Sequence, residues 1–473
     1  MRERWLYAWG LGSVAFGGAS LLVPLYIVQL GATPVQLGIL AATAAIIGAP
    51  GAIVFGKLAN RVHRRRTLVL LTLTGVTATL AVIPLVSSIT AVIVANAALW
   101  FVVAAVGPVV TMLVVDDAPE MAWSERIGLL NKYQGYGWAG GLVLGAVWPL
   151  VATTLLDAGG ESATRALFWV LVACAGVSTV GATVSLPNPK PEDHVTGERR
   201  VRRVARLLST SRRGIKTSTF AFSPNRLYWT TQGIHPKRLL GRVNPALATY
   251  LVAAVLFFTG FAAFWAPLPL FFTDLGFQSG QVFALYLASS LASAVLYEGA
   301  GRLASRYDVR LLQSGALAAR GVLFPVVAVV TGLGTLAVGL VSAGAGLAAI
   351  GVTWAIIAVV GTAIVTRLAP PSVRGEVLGI HTALGAVAGG IGGVLGGWTA
   401  SFGYVVAFGV AGGLVVVGSL LVFSLRMLSG GSRASESPRE AVDGGREGVG
   451  IPAVSADEVT EHGREVDRLE STA

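Results

Sequence analysis

The sequence predicts an all-α integral membrane protein, with twelve transmembrane helices in two pseudo-symmetric bundles of six. Three observations carry this prediction. Only 12% of the 473 residues are charged, against 54% hydrophobic, where a soluble globular chain is roughly 25% charged. Twelve stretches are apolar over the length of about 20 residues that a helix needs to cross a bilayer core. The last six stretches repeat features of the first six at a nearly constant offset. This composition, with a mean hydropathy of +0.71, excludes an ordinary soluble enzyme, a disordered chain and a collagen-like repeat. Cys174 is the only cysteine, so a disulfide scaffold is excluded as well. A net charge of +11 would point to nucleic acid in a soluble protein. In a membrane protein it fixes which loops stay in the cytoplasm, and no nucleic-acid partner is expected.

The apolar stretches run over 5–30, 37–57, 67–86, 90–116, 127–152, 165–186, 246–272, 281–304, 310–331, 335–366, 376–400 and 403–427. They are continuous runs and lack the alternation of barrel strands. Met1-Arg2-Glu3-Arg4 resembles the start of a signal peptide. The run behind it is too long for an h-region, so it reads as a retained helix.

Basic residues set the topology. Arg2 and Arg4 precede span 1, and Lys57, Arg61, Arg64, Arg65 and Arg66 lie between spans 2 and 3. Arg126 lies between spans 4 and 5, and thirteen Lys and Arg lie between spans 6 and 7. Arg302, Arg306 and Arg310 flank the 8–9 loop, Arg367 and Arg374 the 10–11 loop, and Arg426 ends span 12. The other side carries Arg165 alone. By the positive-inside rule both termini are cytoplasmic. The expected location is a prokaryotic cytoplasmic (plasma) membrane.

The domains expected are a six-helix bundle over 1–186, a cytoplasmic basic linker over 187–245, a second bundle over 246–428 and a disordered cytoplasmic tail over 429–473. At an offset of 245, Pro24-Leu25 returns as Pro269-Leu270, Leu30-Gly31 as Leu275-Gly276 and Gln36 as Gln281. Gly56-Lys57-Leu58-Ala59-Asn60-Arg61 returns as Gly301-Arg302-Leu303-Ala304-Ser305-Arg306. At a slightly larger offset Ala118-Pro119 returns as Ala369-Pro370, and Ser124 and Arg126 as Ser372 and Arg374. Parallel six-span repeats place a shared site at their interface near the bilayer midplane.

The stretch from Gly56 to Arg66, with Asn60, Arg61, His63, Arg64 and Arg65, resembles the signature loop between helices 2 and 3 of the major facilitator superfamily. Asn60 stands where the family has Asp, and His63 where it has Gly. The resemblance covers about residues 5–427 and implies secondary transport of a small-molecule substrate by alternating access, by a monomer without cofactor. The family's acidic member latches one conformation. Asn60 can exchange hydrogen bonds there but brings no charge.

Gly385, Gly389, Gly393 and Gly397 line span 11 at a period of four, and Gly137, Gly141 and Gly145 line span 5. Such faces let helices pack backbone to backbone, either as static seams or as surfaces along which helices rock. The glycines of span 5, with Gly128, also resemble the family's antiporter signature. Leu142 and Ala146 depart from it, at a usual proline and a usual glycine. Direction of transport stays open.

Ionisable residues within or near spans are functional hypotheses by default. Asp116 and Asp117 end span 4 and Lys132 lies two turns into span 5, so a Lys132–Asp116 contact reads as a gate, a proton-linked switch or a structural ion pair. Glu298 and Arg320 read as a pair across spans 8 and 9. Glu376 and His381 enter span 11, and His381 is the residue type that titrates near neutral pH. These residues are the candidates for gating and for coupling to protons. A metal site is not expected from five histidines and one cysteine without ligand spacing.

The first and fourth helices of each half line the cavity in the resembling family. On that basis the lining comprises Tyr26 and Gln29, Asn96 and Trp100, Tyr250 and Trp265, and Trp354. An aromatic lining with few polar groups suits a partly apolar solute. In the linker, Val201, Val204, Ala205 and Leu208 have helical spacing among arginines, the pattern of an amphipathic helix on anionic lipid. The rival readings are a transport-inactive sensor or receptor that keeps the fold, and an intramembrane enzyme. The enzyme lacks a cluster of nucleophile, base or metal ligands.

Overall fold

The computed structural model describes residues 4–61, 65–116, 123–186, 245–369 and 374–434. It contains twelve long helices among these residues. In the first half they are α1 (Arg4–Gln29), α2 (Pro34–Arg61), α3 (Arg65–Val82), α4 (Ile89–Asp116), α5 (Trp123–Leu155) and α6 (Gly160–Ser185). In the second they are α7 (Pro245–Trp265), α8 (Ser279–Arg306), α9 (Val309–Thr331), α10 (Leu336–Leu368), α11 (Arg374–Ala400) and α12 (Tyr404–Ala434). A short helix, Leu268–Asp274, extends α7, and a 3-10 turn, Ile83–Leu85, extends α3. No strand occurs among the described residues. Ten of the helices are long and apolar enough over their described residues to cross a membrane. The other two, α2 and α4, contribute shorter apolar stretches, Pro34–Gly48 and Ile89–Ala104.

The chain divides into two units, Met1–Leu428 and Ser429–Ala473. The first holds α1 to α11 and α12 as far as Leu428. The expected linker helix, the 435–473 tail, His63, Arg64 and Asp117 lie outside the described residues.

Alternating faces put the connections at two ends. The basic end holds the start of α1, the ends of α2, α4, α6, α8 and α10, and the starts of α3, α5, α7, α9 and α11. The opposite end holds the short connections 30–33, 86–88, 156–159, 275–278, 332–335 and 401–403. Packing is equivalent in the two halves: α1 lies on α5 as α7 lies on α11, α2 on α4 as α8 on α10, and α3 on α4 as α9 on α10. Two extensive pairs join the halves, α2 with α11 and α5 with α8, and the short helix Leu268–Asp274 adds a smaller contact with α1. The symmetry that relates the halves exchanges these two pairs.

The repeat is also visible in the local chemistry of the turns. Gly31 and Gly276 adopt φ of 84° and 86°, the left-handed region that glycine enters without a Cβ clash. Each ends one helix and leads into the next. Three residues later in helical register, Gln36 Oε1 accepts from the Thr33 backbone N–H and Gln281 Oε1 from that of Gln278, both at 2.8 Å. These are capping boxes, in which a side chain satisfies a helix-start N–H that has no intrahelical acceptor.

Candidate functional site

The glycine faces are places of backbone contact. A methyl group built on Gly137 would lie 2.1 Å from the Gly10 carbonyl oxygen, and one on Gly141 2.3 Å from that of Val14. These positions form the α1·α5 seam. Gly145 faces the other half instead, 2.4 Å by the same measure from the Phe283 ring of α8. On α11, Gly393 and Gly397 abut Gly38 and Pro34 of α2, while Gly389 makes an ordinary contact with Ala45. Gly385 is buried. A second stripe escaped the sequence reading: methyls on Gly392 and Gly396 would lie 2.2 Å and 2.1 Å from the carbonyl oxygens of Thr259 and Ala263. These glycines form the α7·α11 seam, the counterpart of α1·α5. α11 therefore presents one glycine face to its own half and another to the partner half.

The described glycine contacts between the halves lie toward the opposite end. On α2 they span Pro34 to Ile46, about 18 Å of helix. On α5 and α8 they involve Ala146, Pro149, Gly280 and Phe283. No charged side chain is among the atoms that these described glycines face.

Several expected lining residues make specific contacts within the packed helices. Tyr26 is fully buried, donates to the Val86 carbonyl at 2.9 Å and packs edge-on against Phe168 of α6. It therefore helps to hold the first half together. Gln29 is the last residue of α1 and is exposed at the opposite end. Tyr250 is also fully buried; its hydroxyl contacts Gln313 at 2.9 Å and the Gly361 carbonyl at 3.4 Å. The His381 ring lies parallel to Tyr250 at 5.9 Å and edge-on to Phe258 at 5.4 Å. Tyr250 thus ties together α7, α9, α10 and α11. Asn96 is buried and Trp100 half-buried on α4. Trp265 is half-buried against Tyr286 of α8.

Among the charged candidates, Lys132 is exposed, with its ammonium 5.7 Å from the Tyr136 ring. The side chains of Asp116, Glu298 and Glu376 lie outside the described part, as do those of Asn60, Arg61 and Arg65. Gly56, Asn60 and Arg61 are helical residues at the end of α2, and Arg65 opens α3. Next to it, Arg66 donates to the Thr183 carbonyl of α6. In the second half Arg310 donates to the Leu425 carbonyl of α12 at 3.1 Å. Each arginine thereby ties the third helix of its half to the sixth, near the basic end, where helix carbonyls favour a cation.

Among the described residues, Arg320 is the one charged side chain that is buried. It starts about 16 Å along α9 from the basic end and is 2% exposed. It turns inward between α7 and α10. Its guanidinium carbon lies 4.4 Å from the Phe261 ring, 5.3 Å from Trp354 and 5.7 Å from Phe324, all within cation–π range. Tyr297 of α8 interacts with it electrostatically. Nε and one terminal nitrogen are buried without a hydrogen-bond acceptor among the described residues. Phe324 follows Arg320 by four residues and so shares its helix face. Phe261 and Trp354 come from other helices, and no local sequence signal pairs them with Arg320. Gln313, buried on α9, was likewise missed; a polar side chain near a span end reads in sequence as interfacial.

The family model of the Major Facilitator Superfamily matches residues 13–359. The chain belongs to the major facilitator superfamily. It is therefore a multi-pass membrane protein of a transporter family. No curated protein matches the sequence significantly. Among solved structures, a mutant of the nucleoside transporter NupG is similar at 13% identity, over 90% of this chain and 99% of that one, with a TM-score of 0.66. A bacterial homologue of the human lysosomal transporter Spinster, in an inward-facing and unoccupied conformation, matches at 13% identity over 93% and 98%, with a TM-score of 0.60. The human organic anion transporter MFSD10 matches at 18% identity over 89% and 98%, with a TM-score of 0.53. At these identities the superfamily's fold is what is shared.

Proposed function

We propose that this chain is a secondary active transporter that moves a small, partly apolar solute across the cytoplasmic membrane by alternating access. The observation that carries the reading is the division of the glycine seams. The α1·α5 and α7·α11 seams lock each half internally by backbone contact, so each half moves as a body. The α2·α11 and α5·α8 contacts join the halves at one end, where small residues separate without unlocking bulky side chains. Superfamily membership and the transporter folds of the neighbours support the same reading.

With the basic end cytoplasmic, contact at the opposite end corresponds to closure on the outside. The aromatic groups of α7 and α10 favour a solute with apolar surface. Protons are the proposed coupling ion, with Asp116, Glu298, Glu376 and His381 as the titrating candidates, and the linker is proposed to rest on anionic lipid. The chain functions as a monomer in this reading, with no enzymatic step.

The test is uptake into proteoliposomes of purified protein across a solute panel, with and without a pH gradient. Saturable flux of an apolar or amphipathic solute is expected, increased by the gradient. Absence of saturable flux for every solute class in either direction would return the sensor reading to first place.

A further inference from the structure

We infer that Arg320, with Phe261, Phe324 and Trp354 around it, forms a binding site for an organic carboxylate with an aromatic or similarly flat apolar body. The inference rests on the transporter reading for its physiological meaning, but not for its geometry.

A guanidinium is permanently charged, and its removal from water is costly unless an anion and hydrogen-bond acceptors replace the water. Here the three rings replace part of that solvation from their faces. They supply no acceptor for the N–H groups in the guanidinium plane. Nε and one terminal nitrogen remain sealed and unmet among the described residues, on a side chain that is 2% exposed. The neighbouring Tyr297 offers at most one hydroxyl. The site thus holds a cation with two in-plane donor nitrogens unmet among the described residues, either of which a carboxylate oxygen can accept from.

The rings define the rest of the ligand. Phe261 and Trp354 pack edge to face at 6.0 Å and Phe261 and Phe324 at 6.2 Å. Trp354 is half-buried, so one wall of the cage borders accessible space. The helices that supply Phe261 and Trp354 are α7 and α10, and Arg320 reaches between them from α9. A carboxylate seated on Arg320 would lay its attached group along these rings.

The probe is sodium benzoate, titrated calorimetrically into purified full-length protein, with benzamide as the neutral counterpart and sodium chloride as the small anion. Saturable benzoate binding is expected, with benzamide and chloride each at least tenfold weaker. Arg320→Met should lose at least tenfold in benzoate affinity and melt no lower than wild type without ligand, because an apolar side chain of similar length replaces a charge with two nitrogens unmet among the described residues. Trp354→Leu should weaken benzoate and leave chloride unchanged. Equal binding of benzoate and benzamide, equal binding of chloride, or no benzoate binding would overturn the assignment. So would an Arg320→Met protein that fails to fold or melts well below wild type, which would mark Arg320 as half of an internal pair with a group such as Glu298. Calorimetry requires no flux. Benzoate binding without uptake counts against the transporter reading alone, and saturable uptake without benzoate binding counts against this site alone.

Discussion

Gln36 and Gln281, 245 positions apart, accept the same backbone hydrogen bond at the same distance of 2.8 Å. Each closes the start of the second helix in its half, just after a glycine in the left-handed region. Gln36→Ala and Gln281→Ala should each lower stability by about 0.5–1 kcal/mol, the usual cost of losing a helix cap. The sites share no partner, so the double variant should show the sum. Thermal unfolding in detergent measures all three; a double variant no less stable than either single one would contradict the equivalence.

Glycines on one helix should divide into two classes. A methyl on Gly141 meets the α1 backbone, whereas one on Gly135 meets nothing within 4 Å. Gly141→Ala should cost about 1–3 kcal/mol by overpacking, and Gly135→Ala should be neutral or stabilising by about 0.5 kcal/mol. In α11, Gly393→Leu should impair folding or transport far more than Leu395→Ile. The readouts are melting temperature and yield of monodisperse protein.

The architecture was legible in the sequence because lipid forces it: backbone groups must be satisfied within each segment, so a long apolar run becomes a helix. The repeat was legible at Leu30-Gly31 and Gln36 because turn chemistry needs those residue types at those places. The site was less so. Tyr26 and Tyr250 sit on helices with the right order in the chain, but a helix has several faces, and their hydroxyls were drawn to Val86 and Gln313 in packed layers. For Arg320, position in a span announced a buried charge, while its neighbours Phe261 and Trp354 come from helices far away in sequence. The Gly392 and Gly396 stripe was hidden by its overlap with the period-four run beside it.

Topology can be read chemically. In a Cys174→Ser background, Ser162→Cys at the start of α6 should react with a membrane-impermeant maleimide in intact cells. Ile215→Cys in the linker should react only after permeabilisation. The reverse pattern would invert the assignment of the basic end to the cytoplasm.

Lys132 is exposed over Tyr136, which gives it little part in a buried switch. Lys132→Gln should change stability by no more than about 1 kcal/mol, the upper end for an exposed cation–π contact, and should leave gradient-driven accumulation intact. Asp116→Asn should abolish that accumulation while preserving exchange. Loss of coupling in the lysine variant, or full coupling in the asparagine variant, would move the proton site elsewhere.

The α2·α11 junction is built from carbonyl oxygens, α-carbons and methyl groups of residues such as Pro34, Gly38, Ala41, Gly393 and Gly397. Dispersion and close packing act over a few ångströms and are untouched by dissolved ions. Ionic strength and bulk acidity therefore have no direct grip on how firmly the two halves pack at that end. Whatever tilts the balance between closed and open has to act from the other end or from the bound solute, and a one-carbon change along this junction should reset the balance without altering what is recognised.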